Sequence, residues 1–357
     1  DTMPGLPSLS CRTWRRLLCA GLGWLSVGLA QAEGDSLVMH RLGAPDNAVA
    51  ALRGPALYLK GDGPPEGSSF AAFLRQISGD RVDVVVLGAS YPDWEGECRT
   101  ITGLDQVNSC TTIVIRQPQD ASDPVVLDAI RRAEVVYFRG GDQCNFMRWR
   151  DSPLPAAVRQ VVQRGGGTGG GSAGLAIQGS LAVYDGCQGS VTSPTALAEP
   201  YRDSVSFSEH LFDWSALRNT LTDSHFVKRD RMGRLMAFLC RQLAVGHTAQ
   251  AWGLGINEGT AMVIDHNGLG TVYGDRAYMV LADRPSESCH QGADPVSYAG
   301  YKVWRLDAGQ QFDFTRRPQT GYYRVDVAQG TLTTDPYEPP ARAHTLALRE
   351  PDRLDGL

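Results

Sequence analysis

The run Val82–Leu87 (VDVVVL) constrains the fold more than any other stretch of this 357-residue chain. Only Asp83 interrupts it, so both faces of the strand it predicts are apolar and both must be covered. A parallel sheet held between helical layers provides that cover. Ala56–Lys60 (ALYLK), Thr112–Arg116 and Val135–Arg139 (VVYFR) read the same way. Between them, Ser68–Ser78 and Val125–Ala133 carry apolar residues at helical spacing. Alternating strand and helix with right-handed crossovers predicts an α/β fold, a three-layer sandwich on a mainly parallel sheet. Beyond Gly179 the pattern predicts loops over 180–220 and a helix at Arg231–Ala244. Strands follow at Ala261–Asp265, Val272–Tyr273, Tyr278–Leu281, Tyr301–Arg305 and Tyr322–Val327.

The ends read differently. Arg12, Arg15 and Arg16 precede the apolar run Leu17–Ala30, which closes in Ala30-Gln31-Ala32. That order predicts a secretory signal peptide over 1–32, cleaved before Glu33. The run is shorter than the ~20 residues a membrane span needs. The body is expected at 33–330, with a Pro-rich, poorly ordered tail over 331–357. A secreted or periplasmic location makes disulfides permissible for Cys98, Cys110, Cys144, Cys187, Cys240 and Cys289. A local Cys98–Cys110 bridge is expected across a polar loop, whereas Cys240, inside the apolar stretch RLMAFLCRQLA, reads as a buried free thiol. No C-x-x-C pair supports a zinc site, and a net charge of −5 gives no footprint for nucleic acid.

The stretch VVQRGGGTGGGSAGLAIQG (161–179) poses the functional question. Its apolar flanks argue against a linker. A phosphate loop needs a lysine after its last glycine, where Ser172 stands. Gly165, Gly167 and Gly170 satisfy a dinucleotide fingerprint, with Asp185 at the acidic position, but that motif opens the first βαβ unit and several strands come earlier here. Gly170-Gly171-Ser172-Ala173-Gly174 fits the remaining pattern, G-x-S-x-G. In such an elbow the serine occupies a strained turn between strand and helix, and its neighbours two positions away must be small. The amide of Ala173 is then placed to donate to an oxyanion. Of the seven histidines, His225 stands apart, with Asp223 before it and Arg229, Arg231 and Arg234 after it.

Four motifs in order carry a resemblance: Gly-Gly-Asp-Gln at 140–143, Gly-Ser-Ala-Gly at 171–174, Asp-x-His-Phe-x-x-Arg-x-Arg-x-Gly-Arg-Leu at 223–235, and Gly-Leu-Gly-Ile-Asn-Glu-Gly-Thr-Ala at 253–261. Together they are similar to the cyanophycinase branch of the serine peptidases, which includes aspartyl dipeptidase. The resemblance implies a fold like class I glutamine amidotransferases (flavodoxin-like), Ser172 as nucleophile and His225 as general base. It implies Gly141 and Ala173 as oxyanion donors, and Gln143, Asp223, Arg229, Arg231 and Arg234 as substrate-binding residues. Fixed guanidinium forks suit substrate carboxylates, although ion pairs bracing the loop would use the same residues. The implied substrate is a peptide or a cyanophycin-like polymer, with no cofactor and no metal. A homodimer is compatible with the sequence.

The chain departs from the family pattern at three places. Gly171 precedes the serine where Thr or Cys is common, and Ser224 stands where Gln is usual. Thr195 falls where a glutamate is expected as third member of the triad, leaving Asp185, Glu199 and Asp203 as local substitutes. Without an acid, two other readings stand beside a peptidase: an impaired relative that binds polymer without cutting it, and a dipeptidase or esterase of different specificity.

Overall fold

The structure is a computed structural model describing residues 37–90, 95–285, 288–290 and 294–340. Its organising element is a nine-stranded sheet. In spatial order the strands are Leu37–Gly43, Val107–Ile115, Val82–Gly88, Val135–Phe138, Gly167–Gly171, Ala56–Lys60, Ala261–Ile264, Leu269–Tyr273 and Gln311–Asp313. The five from Val107–Ile115 to Ala56–Lys60 are mutually parallel, and the outer strands are antiparallel. This is the mostly parallel α/β sandwich that the valine runs predict.

Period-2 alternation divides the sheet between two cores. Tyr58, Val84, Val86, Val135 and Tyr137 face the helix Gly67–Ile77, where Phe70, Phe73, Leu74 and Ile77 repeat at helical spacing. Glu66 caps that helix, its carboxylate accepting from the amides of Ser68 and Ser69 at 3.2 and 3.0 Å. Leu57, Leu59, Val85, Leu87, Val136 and Phe138 face the other way, onto Val126, Ile130, Leu154, Val158 and Val161 of the helices Pro124–Arg132 and Leu154–Gln163.

The strands expected at Tyr278–Leu281, Tyr301–Arg305 and Tyr322–Val327 form, but they belong to a second sheet that was not legible as one in the sequence. Its six strands run Thr331–Leu332, Tyr323–Ala328, Tyr298–Asp307, Arg276–Ala282, Ala251–Ile256 and Thr220–Asp223. Trp252, Leu254, Ile256, Met279 and Leu281 point into the core shared with the first sheet. Ala251, Tyr278, Val280 and Ala282 point to the helix Met232–Ala244. That helix lies close because Gly253 leaves room for its Leu235, and Gly255 leaves room for the Phe226 ring that precedes it.

Two expectations are corrected. Cys240 is not a free thiol: it bridges to Cys289, alongside the expected Cys98–Cys110 pair and a Cys144–Cys187 pair. Residues 331–340 are not tail but part of the folded body. Thr331–Leu332 extends the second sheet, and the ring of Tyr337 packs edge-on against Phe226 and Tyr278. The expected signal peptide and residues 341–357 lie outside the described residues. Among the described residues, no helix is long and apolar enough to cross a membrane.

Candidate active site

The strand Gly167–Gly171 is the central strand of the nine-stranded sheet and delivers Ser172 at its carboxyl end. Open α/β sheets bind ligands at that edge. Ser172 has φ 53° and ψ −111°, outside the ordinary regions for a side-chain-bearing residue. The flanking glycines make the turn passable. A Cβ on Gly170 would sit 2.6 Å from the carbonyl oxygens of Gly174 and Phe138, and one on Gly174 would overlap the Phe138 carbonyl. Strained backbone held by such packing is characteristic of functional sites.

Ser172 Oγ lies 2.7 Å from Nε2 of His225. His225 follows the strand Thr220–Asp223 of the second sheet, also at positive φ (47°), and its amide donates to the Gly61 carbonyl at 2.8 Å. The two residues thus arrive from different sheets and are locked together by the turn Gly61-Asp62-Gly63.

The third member is Glu258, which sequence reasoning missed. His225 Nδ1 lies 2.6 Å from Glu258 Oε1. Glu258 occupies the connection between Ala251–Ile256 in the second sheet and Ala261–Ile264 in the first. Several bonds hold that connection. Gly61 donates to the Thr260 carbonyl at 2.9 Å, and Gly259 donates to Asp62 Oδ1 at 3.0 Å. Asp62 is itself paired with the buried Lys60. Asn257 links Val227 to Asp275. The other Glu258 oxygen accepts from Lys228 Nζ at 2.7 Å. Its signal lies in the motif at 253–261, outside the interval between Ser172 and His225 where the resemblance implies an acid.

The residues proposed in that interval are engaged elsewhere. Asp185 is buried, accepting from the Cys187 amide and the Ser208 hydroxyl at 2.9 and 2.7 Å. Glu199 pairs with Arg202, Asp203 is exposed, and Thr195 bonds Thr192 at the start of a short helix.

The electrostatics suit a neutral base. Burial pushes the His225 imidazole below its ordinary value; Glu258 opposes the shift, and Arg229 and Arg231 add to it. Hydrogen bonds from Lys228 and then His225 hold the Glu258 carboxyl below its ordinary range, so it is ionised.

The basic cluster divides. Arg234 and Asp223, both expected to bind substrate, are instead a buried fork-to-fork pair: Nε to Oδ2 at 2.8 Å and Nη2 to Oδ1 at 2.6 Å, with side chains 2% and 4% exposed. Burial alone would raise the Asp223 carboxyl, but Arg234 and Arg231 outweigh it and hold it low. Arg231 donates to the Ser224 carbonyl at 2.9 Å and to Asp223 at 3.3 Å, and burial pushes its guanidinium down to about 10. These two arginines brace the histidine turn. Arg229 is exposed beside it.

Gly140 lies against the serine, since a Cβ on it would be 3.4 Å from Ser172 Cβ; the next residue, Gly141, has φ +139° and faces the Ser90 hydroxyl. Ala173 opens the short helix Ala173–Ala176. Gln143 begins the helix Gln143–Met147, and its Nε2 donates to the Tyr184 carbonyl at 3.3 Å. No group of three or more His, Cys, Asp or Glu side chains that could hold a metal ion occurs among the described residues.

Comparison with known proteins gives the wider setting. No family model matches. The chain is 28% identical over 213 residues to a cyanophycinase of Trichormus variabilis, covering 57% of this chain and 64% of that one. It is 24% identical over 216 residues to a cyanophycinase of Geminocystis herdmanii, covering 58% and 72%. The match thus spans a little under two thirds of the first relative's length. Among solved structures, a peptidase from an acI-B1 Actinobacterium aligns over 73% of this chain and 98% of that one, at 16% identity and TM-score 0.48. A putative peptidase E protein from Listeria monocytogenes aligns over 62% and 98%, at 11% identity and TM-score 0.40. The sheet and its covering helices define an α/β protein of flavodoxin-like architecture. The curated relatives to which the chain is similar are cyanophycinases.

Proposed function

We propose that the protein is a serine peptidase that hydrolyses a cyanophycin-like polymer, poly-aspartate bearing arginine on its β-carboxyls, to β-Asp-Arg dipeptides. The observation that carries this reading is the continuous relay from Ser172 Oγ through His225 to Glu258, at 2.7 and 2.6 Å. In the first half-reaction Ser172 Oγ attacks the scissile carbonyl carbon as its proton passes to His225 Nε2. Ala173 and Gly141 offer their amides to the oxyanion. The C–N bond then breaks, the leaving nitrogen takes the proton from His225, and an acyl-serine ester remains. Water, deprotonated by His225, releases the second product. Glu258 keeps Nδ1 protonated, so that Nε2 faces the serine as an acceptor.

Arg229, exposed beside the histidine, is the substrate-facing cation of the cluster, and Gln143, three residues after Gly140, is the polar side chain offered from the serine's side. The reading of a non-cutting relative rested on a missing acid, and Glu258 removes that ground. Export is part of the same reading, supported by the three disulfides, which persist in oxidising compartments. An exported enzyme of this kind would act on polymer released from lysed cells.

The test is to incubate the protein with cyanophycin, with α-linked Asp-Arg peptides and with simple esters, following products by mass spectrometry. Release of β-Asp-Arg dipeptide by the parent, and none by Ser172→Ala, is expected. Cleavage of α-peptides or esters alone would move the protein to the dipeptidase or esterase reading.

A further inference from the structure

The three disulfides differ in surroundings. Cys98, Cys110, Cys240 and Cys289 are each 1% exposed or less. Cys187, by contrast, is exposed and Cys144 half-buried. The accessible bridge is also the one at the site. Cys144 follows Gln143 in the short helix reached from Gly140, which lies against Ser172, and its neighbour Gly141. Asp142 accepts from the Cys144 amide at 2.9 Å and fixes the start of that helix. Cys187 sits 43 residues on, in the turn after Val183–Tyr184, where Gly186 lies against the Gln143 amide. Tyr184 in turn stacks on Phe238 and lies under the Arg234 guanidinium, 5.0 Å from the ring centroid. Arg234 grips Asp223, two residues before His225. A continuous chain of contacts therefore runs from the wall beside Ser172, across the disulfide, to the brace under the base.

We propose that Cys144–Cys187 is a positioning cross-link that holds Gln143 and the Gly140–Gly141 amides in register with the Ser172–His225 pair, and that opening it slows the enzyme. This rests on the serine-peptidase reading. The five-residue helix is held from below by Phe146, packed on Phe138 and Trp149, while towards the 183–189 turn the Gln143–Tyr184 hydrogen bond, at 3.3 Å, is long. Reduction by a dithiol transfers two electrons and two protons to the bridge, giving two free thiols and the dithiol's own disulfide. Accessibility favours this bridge over the buried two.

The experiment compares the parent, the parent after mild dithiol treatment, and a Cys144→Ser/Cys187→Ser double variant. Alkylation and peptide mapping report which cysteines open, and amide hydrogen exchange is read over 140–147. The expected result is selective alkylation of Cys144 and Cys187, faster exchange over 140–147, and a roughly tenfold fall in kcat/KM. Reoxidation restores the parent, and the double variant does not respond to dithiol. Unchanged kcat/KM and exchange with the bridge demonstrably open would overturn the proposal, as would earlier opening of a buried bridge. If the double variant does not fold, the reduced parent carries the same readouts. Absence of cleavage by the oxidised parent would fail the functional reading instead, and exchange would still judge the cross-link.

Discussion

Replacing Glu258 with glutamine has an effect that Lys228 decides. In the parent, one carboxylate oxygen faces His225 Nδ1 at 2.6 Å and the other accepts from Lys228 Nζ at 2.7 Å. A glutamine has one oxygen and one NH2 for these two places. Lysine can only donate, so the oxygen turns to Lys228 and the NH2 turns to Nδ1. Nδ1 must then be the acceptor, which puts the imidazole proton on Nε2, facing Ser172. That tautomer cannot take the serine proton. The equivalent wrong-tautomer change in chymotrypsin-type enzymes costs ~10⁴ in kcat, or about 5.5 kcal/mol of barrier. Glu258→Gln is therefore expected to lose about 10⁴ in kcat with little change in KM, measured by dipeptide release. Adding Lys228→Met frees the amide to flip, so the double variant recovers about tenfold or more, while Lys228→Met alone changes kcat only a few-fold because the pair is exposed. Glu258→Gln activity within tenfold of the parent, or no recovery in the double variant, would refute the argument.

Other consequences follow from the same geometry. Because burial holds the His225 imidazole below its ordinary value and only the neutral ring accepts the serine proton, kcat/KM should be on its plateau at pH 7 and fall as pH drops below ~6.5; a pH–rate profile checks this, and Glu258→Ala should move the limb further to acid. Arg234→Met should cost about 3 kcal/mol in denaturant unfolding, because it removes both fork bonds from the buried Asp223 carboxylate and leaves it Arg231 at 3.3 Å. Arg229→Ala should leave stability within about 0.5 kcal/mol and raise KM. Gly174→Ala should destabilise the fold by roughly 1–3 kcal/mol or more, since its Cβ overlaps the Phe138 carbonyl.

What the sequence made legible follows from where its signals are local. The parallel core was readable because Val82–Gly88 and Val135–Phe138 are buried on both faces and so carry side chains of one kind. The elbow was readable because only glycine fits around Ser172. The strand that carries it, Gly167–Gly171, has no strand-like composition at all. It is built of glycine because a Cβ on Gly169 would overlap the Tyr58 carbonyl, a constraint set by a neighbour more than a hundred residues away. The inner strand of the second sheet escaped for a related reason: Ala251–Ile256 carries two glycines, Gly253 against Leu235 of the helix and Gly255 against the Phe226 ring. Glu258 escaped because its partnership with His225 depends on how two sheets meet. The Arg234–Asp223 pair could not be told from a substrate clamp, since charge and spacing are the same in both and only burial distinguishes them.

The central claim, that Ser172 carries an acyl group through the His225–Glu258 relay, is tested most directly by acid-quenching the protein during turnover of cyanophycin and mapping its intact and peptide masses. The account predicts a transient acyl adduct on the peptide containing Ser172, absent from Ser172→Ala. Dipeptide release with no adduct, undiminished in Ser172→Ala, would contradict it.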